Sequence, residues 1–128
     1  MWNFKHKYNA KRTVSSDGKS FPSKGECALY DQLRFREKIG EIEEISLQHR
    51  VRLTEEVFWK VDFMYRVAST GEMVLAEYKG MEDANYKIKK KLFKEFGEMK
   101  LEIYKGSYKR LILVETMIPK RYNLKKEK

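Results

Sequence analysis

Val57-Phe58-Trp59-Lys60-Val61-Asp62-Phe63-Met64-Tyr65-Arg66-Val67 is followed by Ala68-Ser69-Thr70-Gly71 and then by Glu72-Met73-Val74-Leu75-Ala76-Glu77-Tyr78-Lys79. In the first run apolar residues fall on every odd position, the period of a half-buried strand, and the small polar residues after it spell a turn. The odd residues carry the core face, so Asp62 projects from the other face with Lys60. In the strand from Val74 to Lys79, Val74, Ala76 and Tyr78 share one face and leave Glu77 and Lys79 on the other. If Val67 pairs with Glu72 across the four-residue loop, Asp62 lies opposite Glu77 with Cβ atoms about 4.5–5.5 Å apart. Aspartate is disfavoured inside strands, and like charges facing each other destabilise a ladder. A divalent cation between the two carboxylates removes the repulsion. The competing reading, a solvated strand pair with scattered charges, has to accept both local costs.

Reading outward from this hairpin, Ile45, Leu47, His49, Val51 and Leu53 alternate with polar residues and predict a strand that completes an antiparallel meander. Before it, Ser23 and Glu26 have the spacing of a capping box and open a helix that carries Leu29, Tyr30 and Leu33 and stops near Gly40. After the hairpin, Asp83 begins a second helix, with Ile88, Leu92, Phe96, Met99 and Ile103 at helical steps. Gly97 interrupts that pattern, so the helix either continues to Tyr104 or stops and gives way to a short strand from Leu101 to Tyr104. Leu111-Ile112-Leu113-Val114 reads as a buried fourth strand. The order helix, three strands, helix, strand predicts an α/β (α+β) fold, a mixed central sheet flanked by helices.

The 128 residues suit one domain, read as a basic arm over 1–21, a folded unit over 22–118 and a basic tail over 119–128. Net charge is +9, distributed as +5 over residues 1–24, −5 over 25–84 and +9 over 85–128. A basic frame around an acidic centre suits a protein that attracts a polyanion and binds a divalent cation. The single Cys27 excludes an internal disulfide, and with only His6 and His49 beside it no zinc site of normal ligand count assembles, so any metal has to be held by oxygen. No apolar run is long enough to span a bilayer and no secretory signal is present, so a membrane is not an expected partner and the expected location is cytoplasmic.

Some residues have two readings. Glu26 is the natural capping-box acid, but it shares a stripe with Leu29 and Tyr30 that faces the sheet. Gln48 is either a plain exposed residue or a contact for a phosphate or water. Lys87, Lys90, Lys91 and Lys94 fall on one helix face, either as a phosphate-tracking stripe or as an ordinary solvated surface. Lys5, Lys7, Lys11 and Arg12 of the arm offer a second nucleic-acid path, and Trp2, Phe4 and Tyr8 among them can stack on bases or pack on the protein.

Glu26, Asp62 and Glu77-Tyr78-Lys79, carried in order by helix, strand and strand, resemble the metal-dependent PD-(D/E)XK nuclease superfamily, which includes restriction enzymes, Holliday junction resolvases and the nuclease subunit of a Tn7-type transposase. The chain is more closely similar to small phage and prophage proteins of that superfamily. The shared blocks are Lys7-Tyr8-Asn9-Ala10-Lys11, Ser23 to Tyr30, Leu47-Gln48-His49-Arg50, Val61-Asp62-Phe63 and Glu77-Tyr78-Lys79-Gly80, followed by a lysine-rich helix. Val61 stands where the superfamily signature has proline, and His49 where a proline commonly follows the glutamine. The resemblance implies a restriction-endonuclease-like αβββαβ core. It also implies Mg²⁺ or Mn²⁺ held by Asp62, Glu77 and the Tyr78 carbonyl with help from Glu26, and Lys79 orienting the nucleophile. The expected activity is hydrolysis of DNA phosphodiesters, on branched or recombination-intermediate DNA of a phage in its bacterial host. A homodimer would supply two active sites for cutting two strands. The alternatives are a non-catalytic DNA-binding module on the same fold and a basic assembly protein whose carboxylates are accidental.

Overall fold

The structure, a computed structural model, describes residues 12–107 and 109–122. A short hairpin of β1 (Thr13–Val14) and β2 (Ser20–Phe21) leads into helix α1 (Lys24–Lys38). Three strands follow, β3 (Ile42–Arg52), β4 (Phe58–Val67) and β5 (Met73–Tyr78), then helix α2 (Ala84–Phe96) and strands β6 (Lys100–Ser107) and β7 (Arg110–Met117). The five long strands form one sheet in the order β3-β4-β5-β6-β7, antiparallel except for the β5–β6 pair. The parallel pair needs a crossover, and α2 supplies it. This is the α/β fold with a mixed, helix-flanked sheet that the order of elements predicts.

The β4–β5 register is the expected one. Phe63 faces Ala76, Met64 faces Leu75, Tyr65 faces Val74 and Arg66 faces Met73. The loop closes with the Val67 N–H donating to the Glu72 carbonyl at 2.8 Å, and Gly71, at φ 77, takes the left-handed conformation the turn requires.

One core lies on each side of the sheet. Leu29, Tyr30 and Leu33 of α1 pack with Phe63, Tyr65, Val74, Ala76 and Tyr104, whereas Tyr86 and Phe93 of α2 pack with Trp59, Val61, Leu75, Leu101 and Ile103. The odd residues of β4 therefore do not share one face, as strict alternation predicts. Val61 enters the α2 core and Phe63 the α1 core, so β4 changes face at Asp62. Its neighbour β3 changes face too, with Ile45 on the α1 side and Val51 on the α2 side, and Gln48 between them has φ 55. A left-handed residue reorients the side chains beyond it; Leu47, just before Gln48, is exposed despite its place in the alternating run.

Other expectations change, and one open alternative is decided. Residues 13–21, read as part of an arm, form the hairpin, and Phe21 is buried against Tyr30 with ring centroids 4.9 Å apart. Asp17 fixes the hairpin to α1 by accepting from the Tyr30 hydroxyl at 2.5 Å and from Arg34 at 3.2 Å. Helix α2 stops at Phe96, with Gly97 as its cap, and β6 takes over, so the break is realised. Its buried face is Tyr86 and Phe93, which meet Trp59 edge-on at 5.5 and 5.9 Å, while Ile88 is 55% exposed. Finally, the apolar run in β7 is an edge. Ile112, Leu113 and Val114 are each nearly half exposed, because β6 covers one side of the strand only.

Gly25, in the first turn of α1, is buried against the Tyr78 ring, where an added Cβ would lie 2.0 Å from ring carbon Cζ. This close approach seats the start of α1, and with it Glu26, beside the end of β5. Gly25→Ala is expected to cost about 1–3 kcal/mol through overpacking, measured by urea denaturation. An unchanged midpoint would contradict the close seating.

Candidate metal and nucleic-acid site

Antiparallel pairing of β4 and β5 ends at Phe63 and Ala76, and the next pair is Asp62 and Glu77. There the two strands are joined by side chains. The Asp62 N–H donates to Glu77 Oε1 at 2.9 Å, and the Tyr78 N–H donates to Asp62 Oδ2 at 2.9 Å. Beyond this point β5 continues along β6, with Tyr78 beside Tyr104 and the Lys79 N–H donating to the Tyr104 carbonyl at 2.9 Å. The two carboxylates thus sit in a fork where β4 and β5 part, and each uses one oxygen to satisfy the opposite strand's amide.

Glu26 approaches from α1. Ser23 caps that helix by accepting from the Glu26 N–H at 3.0 Å, so half of the capping box forms. The Glu26 carboxylate is turned to the sheet, where Oε2 accepts from Gln48 Nε2 at 3.4 Å. Gln48 also favours the charged form of Asp62, so its left-handed backbone places one side chain between two acids. Backbone strain of this kind concentrates at functional sites. From the basic arm, Arg12 is tied to Ser20 at 2.7 Å and acts electrostatically on Glu26. Lys5, Lys7 and Lys11 lie outside the described residues.

All three acids resist ionisation. Burial and the Asp62 charge raise Glu26 to about 7, and burial together with Asp62 raises Glu77 to about 8. Burial also raises Asp62, opposed by the Tyr78 amide and the Lys79 ammonium. Glu77 is buried, with 4% of its surface exposed. The Asp62 charge thus opposes ionisation of both Glu26 and Glu77, a repulsion that a hard cation relieves. Asp62 and Glu77 each have a second carboxylate oxygen besides the one holding the fork, and Tyr78 follows Glu77 in the chain. Among the described residues, no three His, Cys, Asp or Glu side chains converge closely enough to hold a metal by themselves. Carboxylate and carbonyl oxygens are the donor type that hard divalent cations take, and such cations complete their shell with water.

The basic residues divide. Lys79 follows the fork directly, its Nζ 4.7 Å from the centre of the Tyr86 ring. Lys87, Lys91 and Lys94 are exposed on α2. Lys90 is drawn inward instead, bonded to Glu115 at 2.7 Å and with its Nζ 5.7 Å from the centre of the Tyr86 ring. Tyr86 is the residue that sequence reasoning missed, because the apolar period pointed to Ile88. The available signal was Asp83, whose carboxylate caps α2 by accepting from the Tyr86 N–H at 2.8 Å. Cys27 is a small core residue whose thiol burial raises, and His49 is half-buried on β3, away from any metal-ligand cluster of side chains among the described residues.

The site thus belongs to a mixed α/β sheet that opens into an acidic fork. A model of a protein family described as "Protein of unknown function (DUF1064)" matches residues 5–115, and the chain belongs to that family. No curated protein and no solved structure matches the chain. No helix among the described residues is long and apolar enough to cross a membrane.

The raised acids make stability depend on pH with a definite sign. Between about pH 4.5 and 8 the folded chain retains protons that the unfolded chain has released, so stability falls as pH rises through that window. In a chelating buffer the melting temperature is expected to drop by several degrees from pH 5 to pH 8, and the drop is expected to be smaller in Glu77→Gln. A flat or rising profile for the wild type would contradict the burial of these acids.

Proposed function

We propose that the protein is a divalent-metal-dependent DNA endonuclease of the PD-(D/E)XK type. The observation that carries the reading is the fork in which Asp62 and Glu77 hold each other's strands, with Glu26 and Lys79 beside it. Asp62, Glu77 and the Tyr78 carbonyl would hold the cation, and Glu26 would bind through its water. When bound, such a cation supplies Lewis-acid polarisation of a phosphodiester and a lowered pKa for the attacking water.

The chain's own residues do the rest. Lys79 neutralises charge developing on the phosphate and orients the nucleophile. Gln48 fixes the Glu26 carboxylate against Asp62. The exposed Lys87, Lys91 and Lys94 and the anchored Arg12 supply phosphate contacts that position the duplex without reading its sequence. The substrate we favour is branched or recombination-intermediate DNA of a phage, cut by a homodimer inside the bacterial host. A DNA-binding module without catalysis is the second reading, favoured by the lack of a third converging ligand side chain among the described residues.

Incubation of plasmid and four-way-junction DNA with Mg²⁺, Mn²⁺ or chelator tests the assignment. Wild type is expected to cut only with metal. Asp62→Asn, which keeps the side-chain size but removes an anionic oxygen, is expected to retain less than about 1% of the rate while still binding DNA. A folded Asp62→Asn variant that cuts at the wild-type rate would sink the metal assignment. Metal-independent binding with no cutting by the wild type would leave the binding module.

A further inference from the structure

We propose that Tyr86 is a positioning residue for Lys79 and the hydroxyl donor to a phosphodiester group bound at the fork. This rests on the nuclease reading for the class of ligand. Tyr86 is 3% exposed, and its phenol oxygen is buried with no hydrogen-bond partner. Buried hydroxyls nearly always find a partner, so an orphan calls for an explanation. Here the shortage is not of acceptors nearby. The carboxylates of Glu77, Glu82, Glu115 and Asp62 all lie within electrostatic reach of the phenol, yet none accepts its proton. Each of these acids directs one oxygen to another partner: Glu77 and Asp62 to the fork amides, Glu82 to Lys105 at 2.9 Å and Glu115 to Lys90 at 2.7 Å.

The ring is fixed while the hydroxyl is free. Asp83 holds the Tyr86 amide, the edge of Trp59 meets the ring at 5.5 Å, and the ammonium groups of Lys79 and Lys90 lie 4.7 and 5.7 Å from its centroid. A cation over an aromatic face is attracted to it, so the ring gives the Lys79 ammonium a seat beside the acids. Burial, and after it the surrounding negative charge, opposes loss of the phenolic proton, so the group remains a donor. A donor with no acceptor, next to a seated ammonium and an acidic fork suited to a cation, is complementary to one anionic oxygen. A phosphodiester drawn to the fork brings that oxygen.

Tyr86→Phe isolates the hydroxyl, and Tyr86→Leu removes the ring as well. Affinity is read by calorimetry with the 5′-phosphorylated dithymidylate pTpT, using Ca²⁺ so that the probe is not cut, and turnover by plasmid cleavage with Mg²⁺. Tyr86→Phe is expected to melt no lower than wild type, because the deleted hydroxyl has no partner to lose, and to bind pTpT about tenfold more weakly. Tyr86→Leu is expected to lose affinity further and to reduce kcat more than Tyr86→Phe does, since Lys79 loses its seat. Wild-type affinity in Tyr86→Phe would overturn the proposal, as would failure of the wild type to bind pTpT at millimolar concentration. A wild type that binds pTpT in a Tyr86-dependent way but cuts no DNA would uphold Tyr86 and overturn the nuclease reading. Because Tyr86→Phe preserves the packing, a Tyr86→Leu chain that failed to fold would leave the test in place.

Discussion

Two hydrogen bonds organise this molecule: the Asp62 amide to the Glu77 carboxylate, and the Tyr78 amide to the Asp62 carboxylate. They stand where a β-ladder would have used backbone carbonyls. Because side chains do the joining, β4 and β5 can separate without leaving amides unpaired, and separation is what brings two acids and the following lysine into one place. The constraint is costly, since burial pushes all three neighbouring acids away from ionisation and the Asp62 charge adds to the push on Glu26 and Glu77. Such a cluster is poorly explained as scaffolding. Natural proteins depart from local rules mostly where function demands it.

The remaining architecture keeps the fork in place. On one side, Gly25 lets α1 press against the Tyr78 ring, and Ser23 fixes the turn that carries Glu26. On the other, α2 is capped by Asp83 and places Tyr86 beneath Lys79. The change of face at Asp62 in β4 and around Gln48 in β3 lets one sheet feed two cores and turns Gln48 toward the acids. Helix α2 carries basic residues of two kinds, with Lys90 neutralised by Glu115 and Lys87, Lys91 and Lys94 left to solvent.

Much of this was legible in the order of residues. The loop from Ala68 to Gly71 fixes the hairpin register, and the register alone puts Asp62 opposite Glu77. The capping signals at Ser23 and Asp83 locate both helix starts. What escaped had tertiary causes. A period-two pattern cannot reveal that Val61 and Phe63 enter different cores, because the switch depends on β4 leaving β5. The apolar face of α2 was misplaced because Ile88 and Leu92 share a helical stripe while the larger rings of Tyr86 and Phe93 fill the space over Trp59. Leu111 to Val114 resembled a central strand, yet an edge position leaves the run half exposed. The hairpin over residues 13–21 has strands of two residues each, too short to display a period.

The claim that the fork is a cation site is tested most directly by titrating Mn²⁺ into the ¹⁵N-labelled protein. Paramagnetic broadening falls steeply with distance and does not depend on activity. At substoichiometric Mn²⁺ the amide signals of Asp62, Tyr78 and Lys79 are expected to disappear first, followed by those near Glu26, with the pattern abolished in Asp62→Asn. Broadening spread evenly over the surface acids, or centred away from β4 and β5, would contradict the account.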